Sequence, residues 1–285
     1  MAFACASGEE QDLLGWERTM TKKYLLDRMP EIDRLERQAE LIGLDRVRDH
    51  FSLADGQAVL DAGCGSGWAS RLVAREWPGT TVTGIDLTPN FVDYARQCGE
   101  DEQLKNLSYV VGDITDLPFE NKSFDFVWSQ LVIFFLPEPE SAIAEFARVL
   151  RPGGQVKIAV TESPFETIWP ERPSLSQGIR EMREKALHGW RMARIPQMLK
   201  SAGFQDITVE TAIDRVHSFN GGASPAQRKN IEESYVQALR AEPSLAGGQD
   251  NADRLIGEML DFADDKESIS INTHWVFGGK APVEF

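Results

Sequence analysis

Residues 59–67 read Val59-Leu60-Asp61-Ala62-Gly63-Cys64-Gly65-Ser66-Gly67. The apolar start is a short strand, Asp61 stands at its end, and three glycines follow at alternate positions. Glycine removes the Cβ where a backbone turns sharply or touches a ligand, and a helix opening there turns its amides toward an anion or a polar ligand. The spacing is informative. A dinucleotide loop reads G-x-G-x-x-G, with two residues after the second glycine. Here a single residue separates Gly65 from Gly67, and Trp68 stands where that pattern needs a small side chain.

Working outward, Thr81–Asp86 reads as a second strand, β-branched and ending in an acid. Asp86 comes one helix and its return after Gly67. In a βαβ unit that puts its carboxylate at the carboxyl end of the neighbouring strand, where it accepts both hydroxyls of a ribose and repels a 2′-phosphate. Thr88-Pro89 then reads as an N-cap with proline at the first helical position. A third strand, Leu107–Val111, runs into Gly112, Asp113 and Ile114. Ser123–Ser129 alternates as a fourth. Ile143, Phe146, Ala147 and Leu150 mark a helix face that stops at Arg151-Pro152-Gly153-Gly154, ahead of a strand at Gln155–Val160. A lone acid at a loop end is usually just solvated; acids or glycines ending three successive strands are a pattern.

The compact G-x-G-x-G loop, Asp86, Asp113 and the Leu-Arg-Pro-Gly-Gly turn, spread over residues 57–160, resemble class I S-adenosylmethionine-dependent methyltransferases. The resemblance is closest to the branch of quinone-biosynthesis and natural-product enzymes. It implies a Rossmann-like α/β fold with a seven-stranded sheet in the order 3-2-1-4-5-7-6, the last strand antiparallel. It also implies S-adenosyl-L-methionine as cofactor, held by Asp61, Gly63, Cys64, Gly65 and Gly67 along the glycine loop and by Asp86 at the ribose. Asp113 would receive the adenine amine, Leu87 and Ile114 would sandwich the base, and Ser129 and Gln130 would lie beside the methionine part. Transfer of an activated methyl needs a base only if the acceptor is protonated. The candidates are His188, His217, Glu162 and Tyr24, and each histidine also has a plain surface or packing reading. A nucleophilic role for Cys64 is a lesser reading than a small residue fitting a tight loop.

Composition sets the limits. A chain of 285 residues with 42% hydrophobic content buries a large core, and one catalytic domain with additions is the natural expectation. The formal charge of −15 argues against a nucleic-acid substrate and against anionic lipid surfaces. Three cysteines (Cys5, Cys64, Cys98) have no metal-ligand spacing and no disulfide framework, so no metal and a reducing, cytoplasmic interior are expected. No signal-peptide pattern is seen at the start, and the greasiest run, Leu131–Leu136, is too short to span a bilayer.

The remaining segments shape the acceptor. Residues 1–50 read as a helical cap: Trp16, Met20 and Tyr24 recur on one face, and Ile32, Leu35, Ala39 and Ile42 on another. Tyr24 and Trp16 are candidates to line a pocket, or packing residues of an amphipathic helix. Residues 51–285 form the methyltransferase domain, with helical additions at about 161–190 and 217–268. In the second addition Ser224-Pro-Ala-Gln227 has capping-box spacing, and Ser268–Gly278 is expected as the closing strand. Aromatic residues gather in these additions (Trp169, Trp190, Phe219, Tyr235), favouring a small, largely apolar or aromatic acceptor such as a polyketide, terpenoid, indole or quinone precursor. A homo-oligomer joined through the amino-terminal helices stays open. Two rivals remain: a protein of this fold that binds the cofactor but acts as a cyclase or sensor, and a nicotinamide oxidoreductase, against which Trp68 and the glycine spacing count.

Overall fold

The structure, a computed structural model, describes residues 29–161, 164–187 and 192–283. Its centre is a seven-stranded sheet. Strands β1 (Ala58–Ala62), β2 (Thr81–Asp86), β3 (Leu107–Val111), β4 (Phe124–Gln130) and β5 (Leu150–Thr161) run parallel. Two later strands, β7 (Gln205–Ile213) and β10 (Thr273–Lys280), complete it in the order β3-β2-β1-β4-β5-β10-β7. Strand β10 is antiparallel to both its neighbours. Numbered by chain order within this sheet alone, the arrangement is 3-2-1-4-5-7-6, as the resemblance implies.

Four helices return the chain between the strands: α3 (Trp68–Glu76), α4 (Pro89–Asp101), α5 (Pro139–Val149) and α7 (Ile195–Ser201). Both faces of the sheet are therefore covered, which is why β1 and β4 read as nearly unbroken apolar runs rather than alternating ones. One face packs Leu60, Val127, Ile143, Phe146 and Ile158. The other packs Val59, Leu72, Val82, Phe126 and Trp128. The chain leaves β1 toward β2 and β3, then re-enters beside β1 as β4. Strand order reverses there, and a crevice opens beyond the carboxyl ends.

A second layer lies over that crevice. It consists of α1 (Met29–Ile42), α6 (Pro173–Ala186), α8 (Pro225–Ile231), a π-helical stretch at Glu232–Val236, α9 (Gln237–Ala241) and α10 (Gln249–Asp264), while the short α2 (Leu44–Arg48) packs Val47 with the Val59 and Trp128 face of the sheet. The capping box at α8 is formed: the Ser224 hydroxyl accepts from the Gln227 amide at 3.3 Å while the Gln227 side chain accepts from the Ser224 amide at 3.0 Å. Phe165, Ile179, Met259 and Phe262 centre a separate apolar core in this layer. Helix α1 is tied to it by an Arg37–Glu233 ion pair.

Several expectations need correction. The segment 268–278 is two strands, not one. Residues Ile269–Ile271 form β9, which joins β6 (Thr167–Trp169) and β8 (Phe219–Asn220) in a small sheet ordered β6-β9-β8. The change of sheet falls at Asn272, whose amide donates to the Ser218 hydroxyl at 2.8 Å and whose carbonyl accepts from the Asp214 amide at 2.9 Å. These bonds replace a ladder that would have continued straight. Thr88 precedes α4, but its side chain caps nothing; its amide donates to Asp86 Oδ1 at 3.0 Å instead. Trp16, Met20, Tyr24, Glu162, His188 and Trp190 lie outside the described residues.

Candidate active site

The glycine loop is shaped by its neighbours. Gly63, Gly65 and Gly67 all have positive φ, the region L side chains disfavour. A Cβ on Gly63 would meet Val132 Cγ2 at 2.5 Å, and one on Gly67 would overlap the Tyr109 hydroxyl and Ala95. Asp86 locks the loop from the next strand: its Oδ2 accepts from the Gly65 amide at 2.8 Å. Asp113 is fixed in turn by Thr115, whose amide and hydroxyl reach its Oδ1 at 2.8 and 2.7 Å. Three carboxyl groups, Asp61, Asp86 and Asp113, thus stand at the ends of three adjacent strands.

A cavity of about 540 Å³ opens over these ends. Asp61, Gly63, Cys64, Gly65, Asp86, Leu87, Asp113, Ile114 and Gln130 all line it. The run Leu131–Leu136 wraps its side: Leu131, Val132, Phe134, Phe135 and Leu136 face the space, around a 3₁₀ turn at Ile133–Phe135. Gly67 and Ser129 are not among the lining residues. Gly67 is the N-cap residue just before Trp68, and Ser129 is buried on the other side of β4 from Gln130, as alternation along a strand requires.

The electrostatics follow from burial. Asp61 is fully enclosed, and burial pushes its carboxyl up to about 6; the Ser70 hydroxyl, 2.5 Å from Oδ2, pulls it down, and the charge of Asp86 pushes it up again. Burial first, then the charges of Asp86 and Asp61, hold the Cys64 thiol well above its ordinary value. A neutral thiol is a poor nucleophile, which counts against the covalent reading of Cys64.

The far end of the cavity is built by the covering layer. Leu35, Met182, Tyr235, Ala238 and Leu245 supply apolar wall. His217 is there too, the one base candidate within the described residues; Tyr24, Glu162 and His188 fall outside them. Its Nδ1 lies 2.7 Å from Asp214 Oδ2. Arg34, Arg183 and Thr161 also line the cavity, and none has a motif that announces it in the sequence. Arg34 alone left a trace: an i,i+3 partner, Glu31, whose Oε2 it reaches at 2.8 Å.

The profile of the methyltransferase domain family matches residues 60–158, from β1 to β5. Over that span the chain is similar to a methyltransferase domain. Demethylmenaquinone methyltransferase from Staphylococcus aureus is 28% identical over 224 residues, 73% of this chain and 88% of that protein. Among solved structures, phosphoethanolamine N-methyltransferase 2 of Haemonchus contortus, in complex with S-adenosyl-L-methionine, superposes with a TM-score of 0.60 at 25% identity, over 90% of this chain and 59% of that one. The [4+2]-cyclase SpnF superposes with a TM-score of 0.59 at 21% identity, over 87% and 82%. That likeness concerns the fold. The methyltransferase domain supplies the acids and glycines; the segments outside the matched span supply His217, Tyr235 and the rest of the apolar end. Among the described residues no group of three or more His, Cys, Asp or Glu is placed to hold a metal ion. No helix among them is long and apolar enough to cross a membrane.

Proposed function

We propose that the protein transfers a methyl group from S-adenosyl-L-methionine to a small, largely apolar or aromatic metabolite enclosed under its helical layer. One observation carries the reading: a single cavity runs from Asp86 and Asp113 to Tyr235 and Leu245, so the nucleoside end and an apolar chamber are continuous.

The residues present fit the cofactor. Asp86 offers a carboxylate for the ribose, Leu87 and Ile114 flank the place of the base, and Asp113 stands beside it. Gly63 leaves bare backbone where a side chain would collide with Val132. Gln130 Oε1 lines the cavity, is buried, and has no hydrogen-bond partner among the described residues, an acceptor suited to a ligand ammonium. Asp61, with its carboxyl pushed up to about 6 in isolation, becomes fully ionised beside such a cation. The bound cofactor supplies a sulfonium methyl already activated for in-line displacement. The protein contributes orientation and exclusion of water, together worth about 7–11 kcal/mol when the geometry is ideal. The wall of Leu131–Leu136 and Tyr235 does the excluding. The quinone relative and the aromatic lining support an aromatic ring system, such as a quinone precursor, as the body of the acceptor.

Calorimetry with S-adenosylmethionine and S-adenosylhomocysteine tests this directly. Wild type is expected to bind both, and Asp86→Ala to lose about a hundredfold in affinity, as removal of charge-assisted hydrogen bonds of about 1.5–3 kcal/mol implies. An unchanged affinity would overturn the ribose assignment, and no heat with either ligand would overturn the reading. Incubation with methyl-labelled cofactor and an extract of apolar metabolites then reports transfer. Label that stays on the cofactor would point to a cyclase or a sensor.

A further inference from the structure

Asp214 and His217 form a buried pair that the cofactor site does not use. Both side chains are almost fully enclosed, at 2% and 4% exposure. Asp214 Oδ1 accepts from the Val216 amide at 2.8 Å, and Oδ2 accepts from the Thr161 hydroxyl at 2.9 Å in addition to His217 Nδ1 at 2.7 Å. Burial works against the charge of Asp214, but His217, the Val216 amide and the Thr161 hydroxyl outweigh it and hold the carboxyl well below its usual range. An ionised carboxylate can only accept, so the network assigns the Nδ1 proton to His217. Nε2, the other ring nitrogen, is buried with no hydrogen-bond partner among the described residues, and a proton on it would be a donor facing nothing.

Asp214 does not line the large cavity, whereas His217 does. His217 therefore stands between Asp214 and the chamber that also holds the cofactor residues, with Nε2 the ring nitrogen that Asp214 leaves unengaged. This is the arrangement of a base oriented by a third group.

We propose, building on the methyltransferase reading above, that His217 is the general base of this site, that Asp214 is its positioning residue, and that the acceptor is a hydroxyl of phenol or enol type. As the acceptor's oxygen–methyl bond forms, the methyl–sulfur bond breaks and its electron pair stays on sulfur, leaving a neutral thioether. The hydroxyl proton moves to His217 Nε2, giving an imidazolium against Asp214, and passes to solvent after release. A positioned base of this kind contributes typically about 10²–10⁴-fold. An amine or thiol that enters already deprotonated has no use for it.

The test uses 4-nitrophenol, whose absorbance reports its own ionisation, added to the full-length protein loaded with S-adenosylhomocysteine at a pH below that of half-ionisation in water. Wild type is expected to bind it with a severalfold excess of the anion over free solution, and the His217→Asn variant to lose that excess. Arg34 and Arg183 line the same cavity, yet neither accepts a proton, so an equal anion excess in His217→Asn would overturn the proposal. Asp214→Asn presents an N–H₂ to Nδ1 and forces the proton onto Nε2. It should abolish the excess while nitrophenol still binds, and ¹⁵N-imidazole NMR should show the switched tautomer; an unchanged tautomer with an unchanged anion excess would sink the role of Asp214. Should His217→Asn fail to fold, ¹⁵N-imidazole NMR of wild type decides: no histidine signal moving on nitrophenol addition refutes the base. Nitrophenol that fails to bind to protein that does bind S-adenosylhomocysteine also refutes it. Protein that fails to bind S-adenosylhomocysteine refutes the methyltransferase reading instead.

Discussion

The two ends of the cavity are built on opposite plans. At the sheet edge, polar side chains are fixed by backbone: Asp86 by the amides of Gly65 and Thr88, Asp113 by the amide of Thr115. Under the helical layer the walls are apolar side chains, and side chains largely hold one another: Asp214 by His217 and Thr161 as well as by the Val216 amide, Arg34 by Glu31. The first plan fixes one ligand, because the main chain that sets it cannot change without refolding the sheet. The second admits many ligands, since a wall residue can be exchanged while the rest of the layer keeps its core of Phe165, Met259 and Phe262. On the proposed function, cofactor recognition and acceptor choice are thereby separable in one continuous space.

Four substitutions probe that separation. The largest effect is expected from Phe262→Ala in the covering core. Deleting a fully buried phenylalanine costs about 3–5 kcal/mol, visible as a lower melting temperature, while affinity for S-adenosylhomocysteine stays within a factor of two. A large fall in that affinity would show that the two ends are coupled.

Next comes Asp61→Asn. The folded carboxyl sits at about 6 against 3.8 for an unperturbed aspartate. A raised carboxyl stabilises the fold fully below the unfolded value, and that contribution is lost as pH rises through the folded one. The loss amounts to about 3 kcal/mol. Ligand-free Asp61→Asn should therefore gain on wild type in melting temperature as pH rises from about 4 to about 7, while binding S-adenosylmethionine more weakly. A constant offset across that range would contradict the buried charge.

Gly63→Ala is expected to be milder, about 1–2 kcal/mol for a Cβ at positive φ, and to weaken cofactor affinity as Val132 is displaced. Calorimetry would contradict the cradle if affinity held. The smallest change belongs to Arg254→Ala, whose i,i+4 partner Glu258 is 2.7 Å away on the outer face of α10. Denaturant titration should register no more than about 0.5 kcal/mol.

The same contrast explains what the sequence disclosed. Glycines at 63, 65 and 67 and acids at 61, 86 and 113 are dictated by backbone geometry, and geometry of that kind leaves a fixed spacing. The sheet order and the lining positions around Asp86 were legible for this reason. Capping chemistry at Ser224-Pro-Ala-Gln227 was legible too, being local. The sheet change at Asn272 was not: it depends on bonds to Ser218 and Asp214, distant in the chain, and no proline or glycine between Ile269–Ile271 and Thr273–Lys280 marks a break. His217 was visible only as one histidine among several. What distinguishes it is Asp214 three residues earlier, across a turn whose shape depends on the Val216 amide. Arg34 and Arg183 reach the cavity from helix faces that carry no motif, so pattern alone could not single them out.

The crossover at Asn272 has a mechanical result. One residue joins the small sheet to the closing strand of the large one, so a displacement of either sheet is felt by the other through Asn272 and the two bonds of its main chain.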